Sequence, residues 1–80
     1  MDDLTLEELQ SVFREVFGDE DLVIRRATTA RDIRGWDSLN HMHMISEVER
    51  RFGVRFSFDE VRMLASVGDL VALIDRKRTA

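Results

Sequence analysis

The chain contains neither cysteine nor proline. Without a thiol it can build no disulfide framework and no thiolate metal site, so its fold rests on packing alone. With no proline and only four glycines it shows no low-complexity segment and no linker between domains. Long apolar runs are also missing. No stretch approaches the roughly 18 apolar residues of a membrane span, and no basic segment followed by an apolar run opens the chain. The expectation is a cytoplasmic protein with no membrane association. Basic charge is in deficit too: 12 basic against 16 acidic side chains leave a net charge of -4, which argues against nucleic acid as a partner. Eighty residues, 44% of them apolar, suffice for one compact domain and exclude a multidomain enzyme.

What the chain does have is helical periodicity. Thr5 and Glu8 have the spacing of a capping box, and Leu6, Leu9, Val12, Phe13, Val16 and Phe17 recur at three- and four-residue intervals. This predicts a helix over about 5–17, closed by Gly18. From Gly18 to Trp36 the period is lost, although Leu22, Val23, Ile24, Ile33 and Trp36 are apolar. A loop longer than roughly 12 to 15 residues is usually functional or disordered, and these apolar anchors favour one pinned to the core. A second helix is predicted from Asp37 or Ser38 to about Phe52, with Asp37 as N-cap and Gly53 as the stop. Ser57 and Glu60 open a short third helix of about two turns. Ser66 and Asp69 repeat the spacing before Val67, Leu70, Val71 and Ile74, and Arg76, Lys77 and Arg78 close the fourth helix with the sign its dipole prefers. The fold class is therefore all-α: a small four-helix bundle, three longer helices plus a short third one, with a long loop between the first two. The expected core is Phe13, Phe17, Ile45, Val48, Phe52, Val61, Leu70 and Ile74.

At about 100° per residue, the second helix turns His41, Met44, Ile45, Val48 and Phe52 inward and Leu39, Met42, His43, Ser46, Glu49 and Arg50 outward. Leu39 and Met42 on that outward face form either a docking patch or a surface packed under the long loop. His41 and His43 point about 200° apart on the helix, so one metal ion cannot take both, and no metal site is expected. His41 is expected at the core edge, satisfied by a backbone carbonyl.

Ser38 stands at the start of this helix, where an esterified phosphate would meet backbone N–H groups lacking intrahelical acceptors and the positive end of the dipole. Equally, Asp37 and Ser38 are ordinary capping residues, which leaves open a small helical interaction module. Hydrolytic chemistry is disfavoured. Asp37, Ser38 and His41 lie close in sequence, but His41 turns inward, Asp37 serves as a cap, and no G-x-S-x-G elbow is present.

The stretch Gly35-Trp36-Asp37-Ser38-Leu39-Asn40-His41-Met42 resembles the phosphopantetheine attachment motif of acyl and peptidyl carrier proteins, whose core is Asp-Ser-Leu. The Glu47-Val48-Glu49-Arg50-Arg51-Phe52-Gly53-Val54 and Ser66-Val67-Gly68-Asp69-Leu70 segments follow in carrier-protein order. The resemblance covers about residues 4–77 and implies one carrier-protein domain over 1–80. It implies that a phosphopantetheinyl transferase attaches the 4′-phosphopantetheine arm of coenzyme A to Ser38, with Asp37 and Leu39 presenting the serine. Acyl or aminoacyl groups would then ride on the arm as thioesters, and the protein itself would catalyse nothing. Leu39, Asn40, Met42, His43, Ser46, Glu49 and Arg50 would form the partner surface of a monomer. The near-neutral second helix and Trp36 differ from carriers of primary fatty acid synthesis. They resemble discrete carriers of specialised pathways, whose further partners would be a loading ligase, an acyltransferase or a ketosynthase.

Overall fold

In a computed structural model, whose described residues are 4–79, the chain forms α1 (Leu4–Phe17), α2 (Ser38–Phe52), α3 (Phe58–Arg62) and α4 (Val67–Thr79). No strand occurs among the described residues, and one 3-10 turn at Ala30–Asp32 interrupts the long loop. The all-α expectation holds, with α3 shorter than the two turns expected.

Three helix starts follow the sequence signals. Asp37 Oδ1 accepts the Asn40 N–H at 2.9 Å, and Gly53 closes α2 at φ 66°, a left-handed conformation that glycine adopts without a Cβ penalty. The Ser57–Glu60 box is reciprocal, with Glu60 N–H donating to Ser57 Oγ at 3.2 Å and Ser57 N–H donating to Glu60 Oε1 at 2.8 Å. Ser66 and Asp69 repeat it at the start of α4, at 3.2 and 3.3 Å. The fourth signal does not hold. Thr5 lies inside α1, buried, and its hydroxyl donates to Asp75 Oδ1 at 2.5 Å. The residue that looked like a cap instead ties α1 to α4, and a cap for a helix starting at Leu4 would fall outside the described residues.

Leu9, Val12 and Phe13 of α1, Met44, Ile45 and Val48 of α2, and Val67, Leu70, Val71 and Ile74 of α4 form the core. Ile24 and Ile33 reach into it from the loop, whereas α3 buries no residue completely. Five of the eight expected core residues are buried. Phe17, Phe52 and Val61 are only half-buried: Phe17 ends α1 against Trp36, Phe52 ends α2 under the Arg78 guanidinium at 5.3 Å, and Val61 lines a groove. Val23 is exposed, because its neighbours Leu22 and Ile24 turn inward and leave it facing out.

The long loop is bound at both sides. Arg14 Nε donates to the Leu22 carbonyl at 2.7 Å, and Ile24 N–H donates to Gln10 Oε1 at 2.9 Å. On the α4 side, Val67 and Gly68 N–H groups donate to the Thr28 and Arg26 carbonyls, each at 2.8 Å. Gly68 permits this approach: a Cβ there would stand 2.9 Å from the Arg26 oxygen. Two of the four orphan donors of α4 are thus satisfied by loop backbone.

Candidate functional site

The loop re-enters the bundle at Trp36 and delivers Ser38 as the first residue of α2. Asp37 has extended backbone (φ -106°, ψ -174°) and takes the capping role alone. The Ser38 hydroxyl is exposed and has no partner among the described residues. Helix geometry leaves the N–H groups of Ser38 and Leu39 without intrahelical acceptors beside that hydroxyl. The pairing of Asp37 and Ser38 as joint caps is therefore corrected: Asp37 caps, and Ser38 stays free.

Two side chains of the first turn lock the loop end. Asn40 Nδ2 donates to the Gly35 carbonyl at 2.6 Å, and the Trp36 indole N–H donates to His41 Nδ1 at 2.9 Å. The two rings are close to coplanar, at 19° with centroids 6.0 Å apart, as a bond between an in-plane N–H and an in-plane lone pair requires. The expected backbone carbonyl partner for His41 is thus replaced by the indole, because the loop brings Trp36 over the first turn. Trp36 also meets Phe13 edge-on at 5.2 Å and 85°. No sequence spacing signalled either bond.

Ser38 lines an open groove of about 490 Å³, walled by Trp36, His41 and Met42 on one side and by Phe58, Val61 and Arg62 on the other. A smaller space of about 90 Å³ lies inward, among Trp36, His41, Met44 and Leu70. Leu39 is 78% exposed and Met42 53%, so neither packs under the loop. His43, Ser46 and Arg50 are exposed as expected, whereas Asn40 and Glu49 are half-buried. Glu49 Oε2 accepts the Phe56 N–H at 2.9 Å, which makes it a brace for the α2–α3 connection. Phe58, 79% exposed, was missed; its place at the first position of a short, capped helix leaves it no core to enter.

The charges of α2 are largely matched internally. Glu47 bonds Arg50 at 2.7 Å and lies 3.7 Å from Arg51, and the Arg50 hydrogen bond holds its carboxyl below the ordinary range. Arg51 in turn pairs with Glu15 of α1. No cluster of three or more potential metal ligands occurs among the described residues.

The family profile described as a phosphopantetheine attachment site matches residues 7–74. Over 72 residues the chain is 32% identical to an acyl carrier protein of an Exiguobacterium species, covering 90% of this chain and 91% of that one. The chain belongs to the acyl carrier protein family. A second such carrier protein, from Thermotoga maritima, is 31% identical over 70 residues, 86% of this chain and 85% of that one. The solution structure of a holo acyl carrier protein from Geobacter metallireducens superposes with a TM-score of 0.88 at 43% identity, covering 94% of this chain and 86% of that chain. Acyl carrier proteins are not catalysts, and their prosthetic group is covalent 4′-phosphopantetheine. Among the described residues no helix is long and apolar enough to cross a membrane.

Proposed function

We propose that Ser38 is the attachment point of the arm and that this carrier serves a specialised pathway, holding acyl or aminoacyl groups as thioesters. The observation that carries the attachment reading is the free, exposed Ser38 hydroxyl on a helix start already capped by Asp37. The surroundings fit the group. Orphan N–H groups and the positive end of α2 favour a phosphodiester there, and the groove beside Ser38 has room for the arm or its cargo. The arm supplies a terminal thiol, and in a chain without cysteine no side-chain thiol competes with it.

The protein's own residues present the site. Asp37 fixes the first turn, Asn40 and Trp36 hold the loop end against it, and Leu39 and Met42 offer apolar surface next to Ser38. Leu39, Met42, His43, Ser46 and Arg50 form the partner surface, with Asn40 and Glu49 contributing as supports. Internal pairing of Glu47 and the engagement of Glu49 leave α2 without a free acidic stripe, which supports a specialised carrier over one of primary fatty acid synthesis. The partners proposed are a phosphopantetheinyl transferase and a loading ligase, acyltransferase or ketosynthase. We read residues 1–80 as one carrier domain acting as a monomer in the cytoplasm.

The test is intact-mass spectrometry after incubation with coenzyme A and broad-specificity phosphopantetheinyl transferases. One arm is expected on the native chain and none on Ser38→Ala. No addition with any transferase, or addition to Ser38→Ala, would overturn the attachment reading.

A further inference from the structure

We propose that Arg62 positions the phosphodiester of the arm. Once Ser38 is modified, the Arg62 guanidinium exchanges Asp59 for the new anion and draws α3 toward the start of α2. The inference rests on the reading of Ser38 as the attachment point.

Two walls face each other across the groove that includes Ser38. Asp37 and Ser38 stand on the α2 side, and Phe58, Val61 and Arg62 of α3 stand opposite. Among the described residues, Arg62 is the one arginine or lysine that borders this groove, and Asp37 the one carboxylate. A phosphodiester on the Ser38 oxygen therefore adds a second negative charge next to Asp37 and faces a single guanidinium. Asp37 cannot turn away to relieve the repulsion, because it accepts the Asn40 N–H at 2.9 Å and caps α2. Arg34, four residues before the serine, is exposed but does not border the groove.

The bond that holds Arg62 in the unmodified protein is weak. Its Nη2 donates to Asp59 Oδ1 at 3.2 Å, with the two side chains 65% and 80% exposed. A pair so exposed, one helical turn apart, contributes little. A phosphodiester offers the same guanidinium two oxygens in the planar arrangement that an arginine fork matches. The helix can follow its side chain. α3 is five residues long and buries none of them completely. Beyond its own capping box, the Lys77–Glu60 bridge at 2.9 Å ties it to α4, and Val61 and Leu64 pack only partly against the core. A change made at the start of α2 is thus passed to α3.

The test compares the unmodified protein with the form made by coenzyme A and a phosphopantetheinyl transferase and confirmed by intact mass. Amide exchange over residues 59–63 is expected to slow by about twofold to fivefold on modification, the range of one exposed ion pair. Arg62→Gln changes an exposed side chain outside the core, so it is expected to fold as the native chain does and to show no slowing. Arg62→Lys, which keeps the charge, is expected to retain part of it. The phosphodiester supplies the single phosphorus of the modified molecule, and its NMR resonance is expected to move in Arg62→Gln and to stay in place in Arg34→Gln. Equal slowing in the native chain and in Arg62→Gln would overturn the proposal, as would a lysine variant no different from the glutamine one. So would a phosphorus resonance that responds to Arg34 and not to Arg62. A mass gain without these changes removes the positioning role alone. No mass gain on the native chain removes the attachment reading, and the positioning role with it.

Discussion

Replacing Gly68 by alanine sets two effects of opposite sign against each other. Helix propensity favours alanine over glycine by about 1 kcal/mol in a helix interior, and by less in the first turn, where position 68 lies. The contacts favour glycine. An alanine Cβ would stand 2.9 Å from the Arg26 carbonyl oxygen and 3.3 Å from the Arg26 Cβ. That oxygen is the acceptor of the Gly68 N–H at 2.8 Å, so relieving the clash pulls the loop off α4. The bond from Val67 N–H to the Thr28 carbonyl, one residue away, moves with it. Two hydrogen bonds at about 1 kcal/mol each outweigh the propensity gain, and the net loss is about 1 to 2 kcal/mol. For a domain of this size each kcal/mol lowers the thermal midpoint by about 4 to 8 °C. Thermal unfolding followed by circular dichroism measures the shift, and amide exchange at positions 67 and 68 locates it. An unchanged or raised midpoint with both amides still protected would refute the claim that the loop is docked tightly on α4.

Phe13→Ala removes a fully buried ring that supports Trp36 and Phe17, at a cost of about 3 to 5 kcal/mol. Against a total of roughly 0.05 to 0.15 kcal/mol per residue, that is a large share of the stability of so small a chain. Phe17→Ala, at a half-buried site, is expected to cost clearly less in urea unfolding, and equal losses would contradict the burial order. Glu60 titrates below its ordinary range because the Ser57 N–H and then Lys77 stabilise its carboxylate. Its folded value is therefore lower than its unfolded one, so its support for α3 is complete above the ordinary carboxylate range and is lost as pH falls through the lowered value. An NMR pH titration is expected to show the amides of residues 57–62 losing protection in that acidic window, and Glu60→Gln is expected to abolish the dependence. A Glu60 that titrates at its ordinary position would sink this account.

Much of the fold could be read from local chemistry because α2, α3 and α4 each carry their own start signal: an Asp37 cap and two Ser-x-x-acid boxes, whose partners lie three residues away. Thr5 misled for the opposite reason. Its partner, Asp75, is 70 residues distant, and nothing in the spacing distinguishes a local cap from a bond across the bundle. The outward face of α2 follows directly from helical period, yet Glu49 and Asn40 proved to be engaged by backbone groups of the adjoining connections, whose paths the period does not encode. The same limit applies to the bond between Trp36 and His41. A helical wheel places His41 at the core edge but is silent about which loop residue comes to meet it.

The bond between Thr5 and Asp75 also sets where the two ends of the described chain emerge. It joins the first turn of α1 to the second half of α4, while Phe17, at the other end of α1, touches Trp36 beside Ser38. Twelve residues of helix separate Thr5 from Phe17, a rise of about 18 Å. Chain entry and exit therefore share the pole opposite the serine. A fusion partner, an affinity tag or a surface anchor joined at either end sits away from the groove, so the protein can be immobilised or strung between other modules with Ser38 still facing an approaching enzyme.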